Sequence, residues 1–338
     1  MIKKIVRVLL IGVGNRGRWP LEHCRPERGW QVVGLVDRDP DHLSFARKAT
    51  GLGTSACFEE PGLAIETLRP EAVILCTPTV THAPWTRSAV AQGVAVLCEK
   101  GMATCWQEAV DLVEFVRAKS GIFAVAQNYR YDGLYRMVAA SLGRANGISC
   151  PRVEDPYVID YVQHRVRPQP GTLTYPFASV WDMSCHHFDN LLSWLGPVEE
   201  VEAHAYGPEW SPYQHPSNTS AFLYFANRVR VNYVHTHDAS HNSLRIEVHG
   251  KNGCLRVLDR AAEFRSRPTR NLVDSPIQPL PLPTESSEEA MLADFHAYVS
   301  AGIEPGISGY QNLETMALCE MTVRSALRGR PVRRGELA

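Results

Sequence analysis

Through the first third of the chain, short β-branched runs alternate with stretches whose apolar residues recur every three to four positions. Ile5 to Ile11, Gln31 to Val36, Glu71 to Cys76, Val94 to Cys98 and Ile122 to Ala126 read as strands. Asp41 to Thr50, Ala83 to Gln92 and Thr104 to Lys119 read as helices, with Gly51, Gly93 and Gly121 placed as stops. Strand and helix in alternation predict a parallel sheet with right-handed crossovers.

From Gln127 the alternation ends. A helical stretch over Tyr131 to Leu142 leads to strand patterns at Val201 to Tyr206, Thr219 to Ala226, Val229 to His237, Leu244 to Val248 and Cys254 to Leu258. Short polar turns between them predict a largely antiparallel open sheet. The proline-rich stretch Asn271 to Pro283 reads as an extended surface loop, and helical periodicity returns over Glu288 to Ala301 and Gln311 to Arg328. The pattern predicts an α/β chain of two domains: residues 1–126 as a doubly wound parallel sheet, and residues 127–338 as an α+β domain. The 338-residue length agrees with two domains at roughly 150 residues each.

Composition narrows the functional classes. Nine cysteines are odd in number, scattered and without a C-x-x-C pair, which points to a reducing compartment, hence the cytoplasm, and not to a disulfide framework. Lys and Arg number 35 against 36 Asp and Glu, so no long-range field favours nucleic acid or an anionic membrane. Charges interrupt every apolar run before the ~18 positions that a membrane span requires. Arg7 likewise splits the one stretch resembling a signal sequence. A soluble protein acting on a small molecule is the expectation.

The first strand runs into Gly12-Val13-Gly14-Asn15-Arg16-Gly17. Its glycines suit a tight turn, close backbone approach to a pyrophosphate and hard packing of the next helix, whose N-terminus then faces phosphate. Twenty residues after Gly17, Asp37 closes the second strand. A carboxylate there accepts ribose hydroxyls and repels a 2′-phosphate, so NAD is favoured, while the neighbouring Arg38 leaves NADP open. Two further segments stand at strand ends: Cys76-Thr77-Pro78-Thr79-Val80-Thr81-His82 and Glu99-Lys100-Gly101. Later, Asp182, His186 and Asp189 fall at i, i+4 and i+7 of Trp181 to Gly196, which places them on one face if the segment is helical.

This order of motifs resembles the glucose-fructose oxidoreductase, inositol dehydrogenase and MocA family of NAD(P)-dependent oxidoreductases, and the resemblance spans nearly the whole chain. It implies a Rossmann domain followed by a substrate domain whose terminal helix, residues 311–328, returns to the first. The family's T-P-x-x-x-H segment is matched by Thr77, Pro78 and His82, beside the nicotinamide ribose. Its E-K-P tripeptide is matched by Glu99 and Lys100, with Gly101 replacing proline. Its D-x-G-x-H-x-x-D helix is matched by Asp182, His186 and Asp189, with Ser184 replacing glycine.

The resemblance implies catalytic roles for Lys100, Asp182 and His186. A histidine near pKa 6.5 suits removal of a hydroxyl proton, and a lysine ammonium suits stabilisation of the same oxygen. Asp182 would orient the imidazole or accept a sugar hydroxyl. Substrate contacts are expected from Asn128 and Arg130, and from His164 in a loop with Gln163 and Arg165. Tyr233, His235 and His237 alternate on one sheet face, where they would meet substrate or a second subunit. No Cys/His spacing resembles a metal signature, so no metal is expected.

The function implied is hydride transfer between a nicotinamide and a secondary alcohol of a sugar, inositol or related polyol. Two alternatives share the fold: NAD-assisted glycoside cleavage without net redox, and a non-catalytic sugar or cofactor sensor, against which Lys100, Asp182 and His186 argue. A homodimer or homotetramer through the open sheet is expected.

Overall fold

The computed structural model describes residues 4–169, 171, 174–268 and 277–337. Its first part runs β1 (Val6–Ile11), α1 (Arg18–His23), β2 (Trp30–Val36), α2 (Pro40–Thr50), β3 (Cys57–Phe58) and α3 (Pro61–Leu68). It continues with β4 (Ala72–Leu75), α4 (His82–Ala91), β5 (Ala95–Cys98), α5 (Trp106–Ala118) and β6 (Phe123–Val125). The six strands form one parallel sheet in the order β3-β2-β1-β4-β5-β6. Val6, Val8, Leu9, Leu10 and Ile11 are at most 1% exposed, as a central parallel strand covered on both faces requires. The strand order reverses between β1 and β4, which opens a ligand crevice at the carboxyl ends of these strands.

Local chemistry sets the helix limits. Asp39 caps α2 by accepting from the amides of Asp41 (2.8 Å) and His42 (3.4 Å), Pro40 pre-sets its first turn, and Gly51 ends it in the left-handed region. Two elements lay beyond the hydrophobic pattern. β3 is two residues long, and α3 is too short and too uniformly apolar to show a period.

The second sheet has nine strands among the described residues. They are β7 (Val158–Val166), β8 (Val198–Tyr206), β9 (Asn218–Phe225), β10 (Arg230–Thr236), β11 (Asp238–His249), β12 (Gly253–Leu258), β13 (Ala261–Ser266), β14 (Ile277–Leu280) and β15 (Val332–Arg333). Their order is β14-β13-β12-β11-β7-β10-β9-β8-β15, antiparallel except where β7 runs parallel to β10. Helix α6 (Gly133–Ser141) precedes this sheet in sequence, and α7 (Cys185–Leu195), led by a π-helical turn over Val180–Ser184, packs on it.

Two expectations need correction here. Gln163, His164 and Arg165 sit on β7, the middle strand, and not in a loop. Ile277–Leu280, expected within an extended loop, pairs with β13 as β14, while residues 271–276 lie outside the described residues.

The chain closes with α8 (Ser287–Ala301) and α9 (Gly309–Arg328). It forms two compact units, residues 1–128 with 286–313, and residues 129–285 with 314–338. α8 and the first residues of α9 group with the first unit. Phe295 stacks on Trp30 (5.7 Å), His296 Nε2 donates to the Lys4 carbonyl (2.7 Å), and the Val125 amide donates to the Ile307 carbonyl (2.9 Å). Among the described residues no helix is long and apolar enough to cross a membrane.

Candidate active site

In the first unit the glycine turn leaves no space for side chains. A Cβ on Gly17 would lie 1.9 Å from the Gly12 carbonyl oxygen, and one on Gly12 would lie 2.8 Å from the Cys76 carbonyl. Gly12 also has φ +82°, which a side chain disfavours. At the end of β2, Asp37 Oδ2 accepts from the Val13 amide (2.8 Å) and Oδ1 from the Asp39 amide (3.0 Å). The carboxylate thus stands against the turn, and the set fits a dinucleotide: a turn bare of side chains at its glycines for phosphate, an acceptor for ribose.

Asn15 is exposed, and Arg38 is exposed with its guanidinium 3.9 Å from Glu60. His42, not anticipated from the sequence, lies with Nδ1 3.4 Å from Asp37 and its ring beside Gly14. Its signal was its place in the first turn of the helix after Asp37. Asp37→Ala is expected to weaken NAD binding more than NADP binding in paired titrations; an unchanged preference would show that the carboxylate does not read the ribose.

At the ends of β4 and β5 the two loops are strapped together by His82, the first residue of α4. Its Nε2 faces the Thr77 carbonyl and its Nδ1 the Gly101 carbonyl, both at 2.7 Å. Burial lowers the His82 pKa although both carbonyls favour the proton. Thr81 Oγ1 donates to Thr77 Oγ1 (2.7 Å), and Pro78 leads the short turn between them. Gly101 is buried, and its carbonyl is held by the histidine.

Glu99 is 3% exposed, and its Oε1 receives Arg16 Nε (2.8 Å) and Trp19 Nε1 (2.9 Å), while Oε2 is buried without a hydrogen bond. Arg16 is thereby committed to a carboxylate. Lys100 follows directly, two residues beyond the carboxyl end of β5. Burial pushes the Cys76 and Cys98 thiols well above their ordinary range, leaving them protonated and unreactive.

In the second unit the π-helical turn carries Asp182 and the following α-helix carries His186 and Asp189, all buried. The wide turn replaces the regular helix expected there. Ser184, at the position of the family's glycine, accepts from Tyr233 Oη (2.8 Å) and lies 3.4 Å from His235 Nδ1. The Tyr129 ring stacks on His186 with centroids 4.3 Å apart and planes 11° apart, and Tyr135 stacks on Tyr129 at 5.1 Å. Arg167, just beyond β7, reaches Asp182 Oδ2 at 3.5 Å. Cys185 is buried and packs its thiol toward the Asp182 carbonyl (3.4 Å).

Several expected substrate residues have partners within the protein. Arg130 forks onto Asp189 through Nε (2.9 Å) and a terminal nitrogen (2.7 Å), so this pair anchors α7. Asn128 Nδ2 donates to Glu288 (3.1 Å) within the first unit. His164 lies on the face of β7 opposite Tyr161, by the two-residue period of a strand, and its Nδ1 is 3.2 Å from Ser243 Oγ. Tyr233, His235 and His237 do not form a free surface. They are at most 1% exposed, and His187 Nδ1 lies 2.8 Å from Tyr233 Oη.

Tyr129 and Arg167 were not anticipated as neighbours of the helix, because their contacts cross 15 to 57 positions of chain that carry no local signal. On the opposite sheet face Asp160, Glu247 and His249 bring potential ligand atoms within 4.8 Å of one another. Those carboxylates are already engaged, Asp160 by Asn232 (2.6 Å) and Glu247 by Arg256 (3.1 Å).

A 3-2-1-4-5-6 parallel sheet with a glycine turn and a strand-end carboxylate, joined to a second unit built on an open mixed sheet, defines a two-domain dinucleotide-binding protein of the oxidoreductase type. Residues 6–127 match the family model described as an oxidoreductase family, NAD-binding Rossmann fold, and residues 176–333 match that family's C-terminal alpha/beta domain. The chain belongs to this glucose-fructose oxidoreductase, inositol dehydrogenase and MocA family, and it is an NAD(P)-binding oxidoreductase.

Among curated proteins it is 27% identical over 97% of its length to the uncharacterized protein y4oX of Sinorhizobium fredii, of which 95% is covered. It is 26% identical, over 97% of its length and 95% of the relative, to inositol 2-dehydrogenase 3 of Saccharopolyspora erythraea. A similar solved fold is that of an oxidoreductase from Agrobacterium radiobacter in complex with NAD+, L-tartaric acid and magnesium. That fold has a TM-score of 0.82 and 19% identity, covering 98% of this chain and 99% of that one.

Proposed function

We propose that the protein is an NAD(P)-dependent dehydrogenase acting on a secondary alcohol of a sugar, an inositol or a related polyol. The observation that carries this reading is the pairing of a buried Asp182 and His186 on consecutive helical turns, with His186 stacked under the Tyr129 ring, in a chain whose first unit ends β5 with Glu99-Lys100. The full-length resemblance to an inositol 2-dehydrogenase supports the substrate class.

The dinucleotide would be held by the turn Gly12 to Gly17 with Asn15 and Arg16, by Asp37 and Arg38 at the adenosine end, and by Thr77, Pro78, His82 and Glu99 toward the nicotinamide. When bound it supplies the hydride acceptor. His186 takes the hydroxyl proton, its ring plane fixed by stacking on Tyr129. Lys100 donates to the oxygen as negative charge grows on it, which lowers the barrier most where water is excluded. Asp182 accepts a neighbouring hydroxyl or holds the imidazole, and Arg167 limits its rotation.

The direct test is a panel of inositols, aldoses and sugar acids with NAD+ and with NADP+, following absorbance of the reduced cofactor. Substrate-dependent reduction by at least one polyol is expected. A complete absence of reduction across the panel, with NAD binding intact, would overturn the reading.

A further inference from the structure

β7 presents Gln163 and Arg165 to the side of the sheet that carries α7, with Arg167 following, and the three are not equally satisfied. Gln163 Nε2 donates to the Ser243 carbonyl (3.1 Å), and Arg167 reaches Asp182 (3.5 Å). Arg165 has only neutral partners among the described residues, Tyr129 Oη at 3.0 Å and Met183 Sδ at 3.8 Å, both through one terminal nitrogen. A guanidinium carries five N–H donors, and a half-buried one without a carboxylate is costly to hold. Its neighbours Arg130 and Arg136 each have an acid, Asp189 and Glu285.

Arg165 faces a cavity of about 810 Å³ whose wall includes Tyr129, Gln163, Asn242, Ser243 and Arg260. That volume suits a sugar-sized molecule with its water. The carboxylates of the same wall are turned to other work. Asp132 accepts from the Leu134 amide (2.9 Å), Asp259 from the Leu244 amide (2.9 Å), and Glu285 pairs with Arg136. Burial is the main cause holding His187, His235 and His237 below their ordinary pKa, and the positive charge of Arg165 acts in the same direction. Tyr129 joins this cavity to the proposed base: its hydroxyl meets Arg165 while its ring lies on His186.

We propose that Arg165 is the receptor for an oxyanion of the substrate, so that the preferred polyol carries a carboxylate or a phosphate. The fork of the guanidinium suits either anion in bidentate contact, with Tyr129 and Gln163 beside it for hydroxyls. The proposal rests on the polyol dehydrogenase reading for the identity of the substrate, but the anion site itself is tested by binding.

The experiment is calorimetric titration of the full-length, NAD+-loaded protein with D-glucose, D-gluconate and D-glucose 6-phosphate, and with the corresponding galactose series. The wild type and Arg165→Gln are compared, and Arg165→Lys serves as a second variant that keeps the charge and loses the fork. The wild type is expected to bind one anionic class about 10- to 100-fold more tightly than the neutral sugar, which also separates carboxylate from phosphate. Arg165→Gln should abolish that ratio and Arg165→Lys should reduce it.

Equal affinity for neutral and anionic sugars, absence of binding by either, or a ratio unchanged in the variants would overturn the proposal. Reduction of NAD+ by neutral polyols with no anion preference overturns it while leaving the dehydrogenase reading in place. An anion preference lost in the variants, with no reduction by any sugar, retains the receptor role and fails the dehydrogenase reading.

Discussion

Replacing His186 or Lys100 with alanine is expected to lower turnover by ~10²–10⁴, with NAD affinity within a few-fold of the wild type. The two losses differ in kind. In its proposed role His186 is a base, so His186→Ala should lose the wild-type acid limb of the pH-rate profile, and turnover should rise on adding imidazole or another small base. Lys100 is proposed to stabilise charge on oxygen, so Lys100→Ala should slow the chemical step and show a larger primary isotope effect with substrate deuterated at the reacting carbon. His186 is 2% exposed and stacked on Tyr129. Its removal leaves a hole, so His186→Asn and the unfolding midpoint of each variant separate lost chemistry from lost packing. Near-wild-type turnover in both alanine variants would sink the catalytic assignment.

The first sheet was legible because its central strands carry continuously apolar runs buried on both faces, as in Val8 to Ile11 and Ala72 to Leu75. Gly12, Gly17 and Asp37 were legible for a related reason: a tight turn and a strand-end carboxylate leave a local mark. β7 left none. It lies in the middle of its sheet, yet Asp160, Gln163, His164 and Arg165 break the apolar pattern, because one of its faces meets polar rows and the other the proposed site. The motif residues Asp182, His186 and Asp189 were found by spacing, whereas the partners that set their geometry were not. Arg130 on Asp189, Arg167 on Asp182 and Tyr129 on His186 come together only through tertiary packing. Arg130 was singled out by its place near the motif, but its counter-charge Asp189 carries no local signal of the pairing.

Stability is expected to fall as the pH drops from about 6.5 toward 4, with the upper part of that fall, above about pH 5, preceding the titration of ordinary carboxylates. His187, His235 and His237 are buried between α7 and the sheet, where desolvation is the main cause holding each in its neutral form. The His187 and His235 rings lie 5.3 Å apart and those of His235 and His237 4.7 Å apart, so protonating one raises the cost of the next. Arg165 and Arg167 add positive charge, and only for His237 do Asp182 and Asp238 oppose it, with a net value of about 4.

The sign follows from linkage. Each histidine binds its proton in the unfolded chain near pH 6.5 but later in the folded one, so between those values the unfolded state holds more protons and stability rises with pH. Lowering the pH from 7 to 4 therefore removes about 3 kcal/mol through His237 alone, with His187 and His235 acting in the same direction.

Urea unfolding at intervals across this range measures the slope, and His237→Gln should reduce it by about 1.4 kcal/mol per pH unit inside the window. The same variant leaves His186 and Tyr129 in place, so a loss of acid sensitivity can be read apart from the catalytic groups. A slope unchanged in His237→Gln, or a wild type equally stable at pH 7 and pH 5, would show that this cluster does not bury its histidines in the neutral state.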